Sequence, residues 1–467
     1  MRKTLVILTL AVTMLLPAAC DNDDYDKSPE AVVTSFNIGD FLVYYKDINI
    51  QGHDTIVTRK VTGSTVPFTI DQQKNLIYNQ DSLPKGSRMD SVTTSIFATG
   101  TVKYRKVRPD GTATDTLWSS KNAMDLRNPV TVKVISNDDS YVREYILKVN
   151  VHKIDPDSMT WNKLPGALPE RLTEMRAVVC GSQISVIGLN ADGIPCVICH
   201  DIDENGGWTP AVRCQGFDNI PDCKSLTLHS DKYFILDGTG LKYSNDCRIW
   251  SASDQNIPLR QIIPFLQTGD KGTAWAVTTD NWLAYSTDMQ TWTKTQELPS
   301  AFPDCDISGF CYPLKTNKSI LRYIIVGTDL DNYPSNSVIW TRLSSEDLWT
   351  MVEVSDDHSL KCPAFDNLSV IRYDEDLYAF GGEGILGDNV IEALSGFYQS
   401  SDNGITWRDC TAFFDSFNTW NRYMQIPEEL HGCTSQFCQV IDGHNRIWII
   451  TSGEQGVWRG FINRLYK

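Results

Sequence analysis

Ser286-Thr287-Asp288-Met289-Gln290-Thr291-Trp292 is a short acidic turn that follows the strand aromatic Tyr285 and closes on a tryptophan. The same form recurs in Ser244-Asn245-Asp246-Cys247-Arg248-Ile249-Trp250. A longer version runs Ser401-Asp402-Asn403-Gly404-Ile405-Thr406-Trp407. Five segments place an aromatic or Cys in a strand and a Trp seven or nine residues on: Cys199 to Trp208, Tyr243 to Trp250, Tyr285 to Trp292, Trp340 to Trp349 and Tyr398 to Trp407. Counted from Trp161, the Trp-to-Trp steps are 47, 42, 42, 57 and 58 residues, the range of one four-stranded propeller blade. The local logic is physical. The Asp carboxylate can accept from backbone amides of the turn, Gly or a polar residue tolerates the left-handed position, and the Trp packs between neighbouring sheets.

These turns resemble the Asp-box of sialidase-like propellers, and that resemblance gives Asp246, Trp250, Asp288, Trp292, Asp402, Gly404 and Trp407 structural roles. The two ends of the repeat region complement each other. Met159-Thr160-Trp161-Asn162-Lys163 reads as a fourth strand with no third strand before it, and Val457-Trp458-Arg459-Gly460 as a third strand near the end of the chain. Joined, they complete one blade, so five whole blades plus one shared blade predict a six-bladed ring with velcro closure through the Trp161 strand. Second strands are expected at Ser185–Gly188, Tyr233–Leu236, Ala274–Val277, Tyr323–Gly327, Leu377–Gly382 and Ile447–Ile450; Tyr378-Ala379-Phe380-Gly381-Gly382 is kelch-like in form.

Upstream, residues 30–153 carry strand signals and turn formers. Val130-Thr131-Val132-Lys133-Val134 and Tyr145 to Val151 alternate apolar and polar, the period of a half-buried strand. Several such runs, punctuated by Pro109-Asp110-Gly111 and Asn137-Asp138-Asp139, predict an antiparallel β-sandwich. Of 13 Trp, 12 lie after residue 158, and of 13 Cys, 12 lie between 180 and 438. The chain is therefore expected to be all-β, with an N-terminal sandwich at 30–153 and the propeller at 154–467.

The first 19 residues read as a lipoprotein signal peptide: Arg2 and Lys3, an apolar stretch from Leu5 to Leu16, then Leu16-Pro17-Ala18-Ala19-Cys20. Cys20 is the expected lipidation site, and residues 20–29 an acidic tether. The run Asp21-Asn22-Asp23-Asp24-Tyr25-Asp26 resembles the surface-export signal of Bacteroidota lipoproteins. The expected address is the outer membrane, lipid-anchored and exposed at the cell surface. Thr69 to Gly86 and Gly456 to Leu465 resemble the first domain and last strand of a family of uncharacterised Bacteroidota lipoproteins. That resemblance implies fold and address, and no chemistry.

With 42 basic against 58 acidic residues, the formal charge of −16 argues against nucleic acid, which needs a basic surface. Blade topology puts the loops between second and third strands, and those between fourth and first strands, on one face, where ligands usually bind. Tentative ligand residues there are Asp329, Asp331, Tyr333, Glu383 and Asp388, with Trp420 and Tyr423 from the long connection at about 411–434. Rings stack on sugar C–H faces and carboxylates bond hydroxyls, so a monomeric, non-catalytic module recognising a glycan or an envelope protein is the first expectation. A glycoside hydrolase or lyase on the same face is the alternative, and a structural part of an envelope complex the third. No Arg-Ile-Pro element of a sialidase is present. Cys196-Val197-Ile198-Cys199-His200 matches a c-type haem pattern, but an offset of three on a strand points the two thiols to opposite faces. No cofactor, catalytic residue or metal site is expected. Cys305 with Cys311 and Cys433 with Cys438 are the candidate disulfides.

Overall fold

A computed structural model describes residues 28–465, apart from 49–53, 109, 155, 157, 204–206, 268–271, 354–357 and 411–423. The fold is all-β: strands alternate with turns throughout, and the helical segments among the described residues are short 3₁₀ turns. The chain divides into two compact units, one up to Asp155 and one from Pro156.

The first unit buries one apolar core between a three-stranded sheet (Val33–Ile38, Val92–Ala98, Ala123–Met124) and a six-stranded sheet. Strand Val130–Ile135 pairs with Val142–Lys148 from Val130↔Leu147 to Ile135↔Val142. Val132, Val134, Tyr145 and Leu147 are buried while their neighbours are not, as the alternation requires. Phe36 meets Phe68 edge-to-face at 4.8 Å, and the Tyr145 hydroxyl accepts from Val33 N at 3.2 Å. One expectation is corrected: the pairing is not wholly antiparallel. Leu76–Asn79 runs parallel to Val142–Lys148. The long intervening chain has room for the crossover that a parallel pair demands.

The second unit is propeller-like. Antiparallel meanders follow one another: Thr173–Cys180 to Val212–Arg213, Asp222–His229 to Ser251–Ala252, Leu259–Ile263 to Thr293–Glu297, Cys305–Pro313 to Thr350–Met351, and Ser369–Tyr373 to Arg408–Asp409. Another sheet takes three strands from Phe437–Ile441, Ile447–Thr451 and Val457–Ile462, and its fourth from Met159–Lys163. There Trp161 stands opposite Gly460. All the expected second strands are present as strands. They are buried on both faces, as in Gln183–Leu189 and Ala274–Thr278, so they read as continuous apolar runs.

The recurring tryptophans reach back onto the preceding sheet. Trp250 packs with Ile187 and Val197, Trp292 with Phe234 and Leu236, Trp349 with Trp275, and Trp407 with Phe310 and Ile324. Trp161 packs with the cluster that holds Tyr373 and Tyr378, and Trp208 with Val440 and Trp448. The sheet that starts at Thr173 thus shares a core with the one that ends at Ile462. Arg446 reinforces that seam: its Nε donates to Asp442 at 2.6 Å and its Nη2 to the Ile202 carbonyl at 2.9 Å.

The acidic turns are hydrogen-bonded as their sequence suggests. Asp288 accepts from Gln290 N at 2.8 Å, Thr291 N at 2.7 Å and Ser286 Oγ at 2.9 Å. Asp246 accepts likewise from Arg248 N, Ile249 N and Ser244 Oγ. In the longer turn, Asp402 accepts from Thr406 N and Thr406 Oγ1. Its serine partner is Ser400 at 2.8 Å, one residue before the Ser401 that opens the repeat. Trp250 and Trp407 donate their indole N–H to Cys247 and Gly404 carbonyls in their own turns. Gly404 sits at φ +91, where a side chain is strained.

Two outcomes follow. The backbone amides that bond Asp288 hold its pKa at about 2, below the ordinary 3.8. The depressed carboxyl therefore stabilises the fold above the ordinary carboxylate range and ceases to do so as pH falls towards 2. Urea midpoints between pH 5 and pH 2.5 are expected to fall less steeply in Asp288→Asn than in wild type; equal slopes defeat this assignment. A Cβ at Gly460 would lie 2.5 Å from the Trp161 ring. Gly460→Ala is expected to cost about 1–3 kcal/mol in denaturant unfolding, and an unchanged midpoint would show that the indole can move aside.

Candidate functional site

The first strands of the meanders converge on the axis of the propeller-like unit and bring their polar ends together. A cleft of about 720 Å³ opens there, lined by residues of every meander, Arg176, Asp222, Gln261, Asp306, Ser369 and Gln439 among them. A second, more apolar cavity of about 470 Å³ continues along the same strands, with Val178, Leu226, Phe265, Val370 and Val440 in its wall. Arg176, Pro264, Ser308 and Gln439 line both, so they mark the level where the two meet.

Strand direction explains the polarity. Met175, Asp222, Asp306 and Phe437 stand near the starts of their strands, beside the loops that enter from the fourth strands, and line the polar cleft. Residues further along, Val179, Leu228 and Ile441, line the apolar one. Lys224 Nζ pairs with Asp306 Oδ1 at 2.6 Å, and Asp306 Oδ2 accepts from Leu368 N at 3.2 Å. Gln261 donates to the Asp304 carbonyl at 2.9 Å and Asn367 to the Phe437 carbonyl at 2.8 Å, fixing both amides. Burial pushes the Asp222 carboxyl up, against the pull of the Lys224 and Ser225 backbone amides and of the nearby cations. Arg176 is half-buried because the cleft reaches it, while its Nε is enclosed and has no hydrogen-bond partner. Burial lowers its pKa from the ordinary arginine value, and an arginine in a protein keeps its charge.

The residues singled out from sequence divide. Glu383 lines the cleft, together with Thr328, Leu330 and Pro334 of the loop that carries Asp329. Asp329 itself is buried and holds that loop: its carboxylate accepts from Asn332 N at 3.2 Å and Asn332 Nδ2 at 2.8 Å. Asp331 is exposed in the same turn. Tyr333 is half-buried, and its hydroxyl contacts Met351 Sδ at 3.9 Å. Asp388 is exposed at the tip of a hairpin formed by Gly384–Leu386 and Asn389–Ile391. That hairpin pairs with Ala364–Phe365, so the stretch expected to be an open loop is sheet structure. Gly384 lets it lie against Phe365, whose ring would be 2.4 Å from a Cβ there. Trp420, Tyr423 and Cys20 lie outside the described residues. Sequence reasoning missed Arg176, Asp222, Lys224 and Gln261. Each sits on a first strand in an ordinary half-polar run, and only convergence of the meanders brings them together.

The cysteines supply chemistry mainly as small apolar groups. The twelve after residue 28 are free thiols, so the two candidate disulfides are not formed. Cys305 and Cys311 lie on one strand six residues apart, roughly 20 Å at 3.3 Å per residue. Cys433 and Cys438 belong to different apolar clusters. Cys196 and Cys199 likewise pack into different clusters on opposite faces of Pro195–Asp201, which is incompatible with shared attachment of a haem. Among the described residues no three His, Cys, Asp or Glu side chains come together as a metal-binding group.

The fold and cleft place this chain among all-β proteins whose larger part is a β-propeller. Residues 155–466 match the DUF6242 beta propeller domain, and residues 41–149 match the N-terminal domain of the same family, a domain of unknown function. The chain belongs to the DUF6242 family. Similar solved structures include a DUF4623 family protein from Bacteroides eggerthii at 11% identity, covering 92% of this chain and 98% of that one with a TM-score of 0.32. Virginiamycin B lyase from Staphylococcus aureus is 13% identical over 65% of this chain and 97% of its own, with a TM-score of 0.35. SapL1 lectin, solved with alpha methyl fucoside, is 12% identical over 60% and 90%, with a TM-score of 0.36. No curated protein matches the sequence.

Cys305 gives a reporter for the cleft. It is exposed in the cleft wall, and burial by surrounding protein, with the Asp304 and Asp306 charges, raises its thiol pKa to about 11. The thiolate is the reactive form. Iodoacetamide labelling of native protein is therefore expected at Cys305 first, with a rate still climbing between pH 8 and pH 10. A rate that levels off by pH 8.5 contradicts the raised value.

Proposed function

We propose that this protein is a lipid-anchored, cell-surface recognition module whose axial cleft binds a polyhydroxylated ligand, a glycan. The single observation behind this is the cleft of about 720 Å³ walled by carboxylates, amides and cations from the first strands and the loops beside them. Carboxylate oxygens accept from sugar hydroxyls, amides both donate and accept, and the many polar groups suit a ligand dense in hydroxyls. Six blades form the propeller in this reading. The pairing of Met159–Lys163 with Val457–Ile462, with Trp208 resting on Val440 and Trp448, supports velcro closure of the ring. The core shared by the two main sheets of the first unit supports a β-sandwich. The domain scheme is a signal peptide at 1–19, a tether at 20–29, a sandwich at 30–153 and a propeller at 154–467. Cys20 carries the lipid, and the outer membrane of a Bacteroidota cell is the address.

The ligand residues in this proposal are Glu383, Asp366 and Asn367 on the rim, with Gln261 and Gln439 deeper. Asp329 serves by holding its loop, and Trp420 and Tyr423 remain ligand candidates from the connection before Met424. A glycoside hydrolase is a second reading, favoured by the upward-shifted Asp222 carboxyl, which lines the same cleft as the Lys224-paired Asp306.

A glycan array probed with the full chain tests the primary reading. The expected result is selective binding that drops at least ten-fold in the double variant Asp366→Ala, Glu383→Ala. No bound glycan, or binding indifferent to that variant, overturns the site. Release of reducing ends from a bound glycan moves the conclusion to the hydrolase.

A further inference from the structure

We infer that Arg176 is the seat for the carboxylate of a ligand that carries a single acidic group on an otherwise neutral polyol. The inference rests on the glycan reading of the cleft and names which glycans it favours. Arg176 stands on Thr173–Cys180 at the level where the polar and apolar cavities meet. Its Nε is enclosed and unpartnered, and among the described residues none forms an ion pair with it. The residue as a whole is half-buried, so the outer N–H groups of its guanidinium open on the cleft, where an ionised acceptor gives the strongest hydrogen bonds.

Two carboxylates lie near enough for Arg176 to feel their charge, Asp222 and Asp306. Both are already committed. Asp306 holds Lys224 Nζ with one oxygen and Leu368 N with the other. Asp222 accepts from the backbone amides of Lys224 and Ser225. Neither forms an ion pair with Arg176, and each is held by lysine or backbone partners of its own. The outer N–H groups of Arg176 are therefore free to take an acceptor that enters through the cleft. A planar fork of N–H donors matches a carboxylate bidentately, more strongly than it matches a neutral hydroxyl pair.

The surrounding charges restrict the ligand further. Arg176 and Lys224 are the cations lining the cleft, against Asp222, Asp304, Asp306, Asp366 and Glu383. A polyanion would meet that acidic rim at several points, whereas one carboxylate can pass to the base while its hydroxyls bond the rim. Polyuronates, sulfated glycans and nucleic acid are thereby disfavoured. A terminal glucuronate or another sugar with a lone carboxylate fits.

The test titrates the full chain with a glucuronate-terminated oligosaccharide and its glucose-terminated counterpart, read by calorimetry. Cys305 alkylation, which lies in the same cleft, reports where the ligand sits. The acidic probe is expected to bind at least ten-fold more tightly and to slow Cys305 labelling. Arg176→Gln is expected to remove that preference while leaving the weaker binding of the neutral probe, and thermal unfolding at or above the wild-type temperature shows that the variant is folded. Equal affinity of the two probes overturns the carboxylate seat and leaves the glycan reading standing. A preference that survives in Arg176→Gln, or acid binding without protection of Cys305, also overturns it. Failure of both probes, together with an empty glycan array, removes the glycan reading itself.

Discussion

Indole packing between successive sheets is the interaction on which the larger unit depends. A meander of four strands has two apolar faces and no means of covering them alone. Trp250, Trp292, Trp349 and Trp407 each sit near the entry to a fourth strand and lie on the sheet before. Trp161 and Trp208 do the same across the junction between the first and last parts of the unit. Burial of a side chain that large typically makes its loss cost 3–5 kcal/mol, so the repeated wedge outweighs any single hydrogen bond in the turn beneath it. The acidic turn serves the wedge by fixing the backbone from which the Trp projects. Bringing Met159–Lys163 against Val457–Ile462 closes a loop of about 300 residues, at an entropic cost on the order of 5 kcal/mol. Strand pairing and the contact of Trp161 with Gly460 offset it.

The same geometry produces the cleft as a by-product. First strands of twisted meanders crowd towards one line, and their apolar middles wall the narrower cavity along it. Their starts diverge, and polar side chains occupy the space left. The result is a graded axis, from Val440 and Phe265 in the apolar cavity to Asp366 and Glu383 at the polar rim. Charges along it are handled unequally. Lys224 is matched by Asp306, whereas Arg176 is held among groups committed elsewhere. Arg176 has no ion-pair partner among the described residues and lines the open space. The thiols follow packing instead: Cys199, Cys214, Cys223 and Cys247 gather in a single buried cluster with Trp250 and act as small hydrophobes.

How much of this was legible in the chain depends on the range of the interaction. The acidic turns, the second strands and the complementary end strands were readable because each is a local pattern with its own period or turn chemistry. The errors are instructive. Ser400 rather than Ser401 bonds Asp402, a one-residue matter of side-chain direction. Glu383 and Asp388 read as residues of a loop between second and third strands because nothing local announces that Ala364–Phe365 will pair with Gly384–Ile385. Cys305 and Cys311 looked like neighbours, yet an extended strand separates them. The parallel pairing of Leu76–Asn79 joins segments far apart in the chain.

By itself, the sequence determined an all-β protein with a Trp-marked repeat, because those signals are carried by residues a few positions apart. It also carried the likeness of its first twenty residues to a lipoprotein leader. Only the tertiary structure decided which polar residues share a cavity. Arg176, Asp222, Gln261, Asp306 and Gln439 are scattered over more than half of the propeller-like unit, and each stands on a different strand. Nothing in their own neighbourhoods distinguishes them from other half-buried strand residues. Their common property, nearness to one axis, is created by the packing of whole sheets against one another, and no local pattern encodes it.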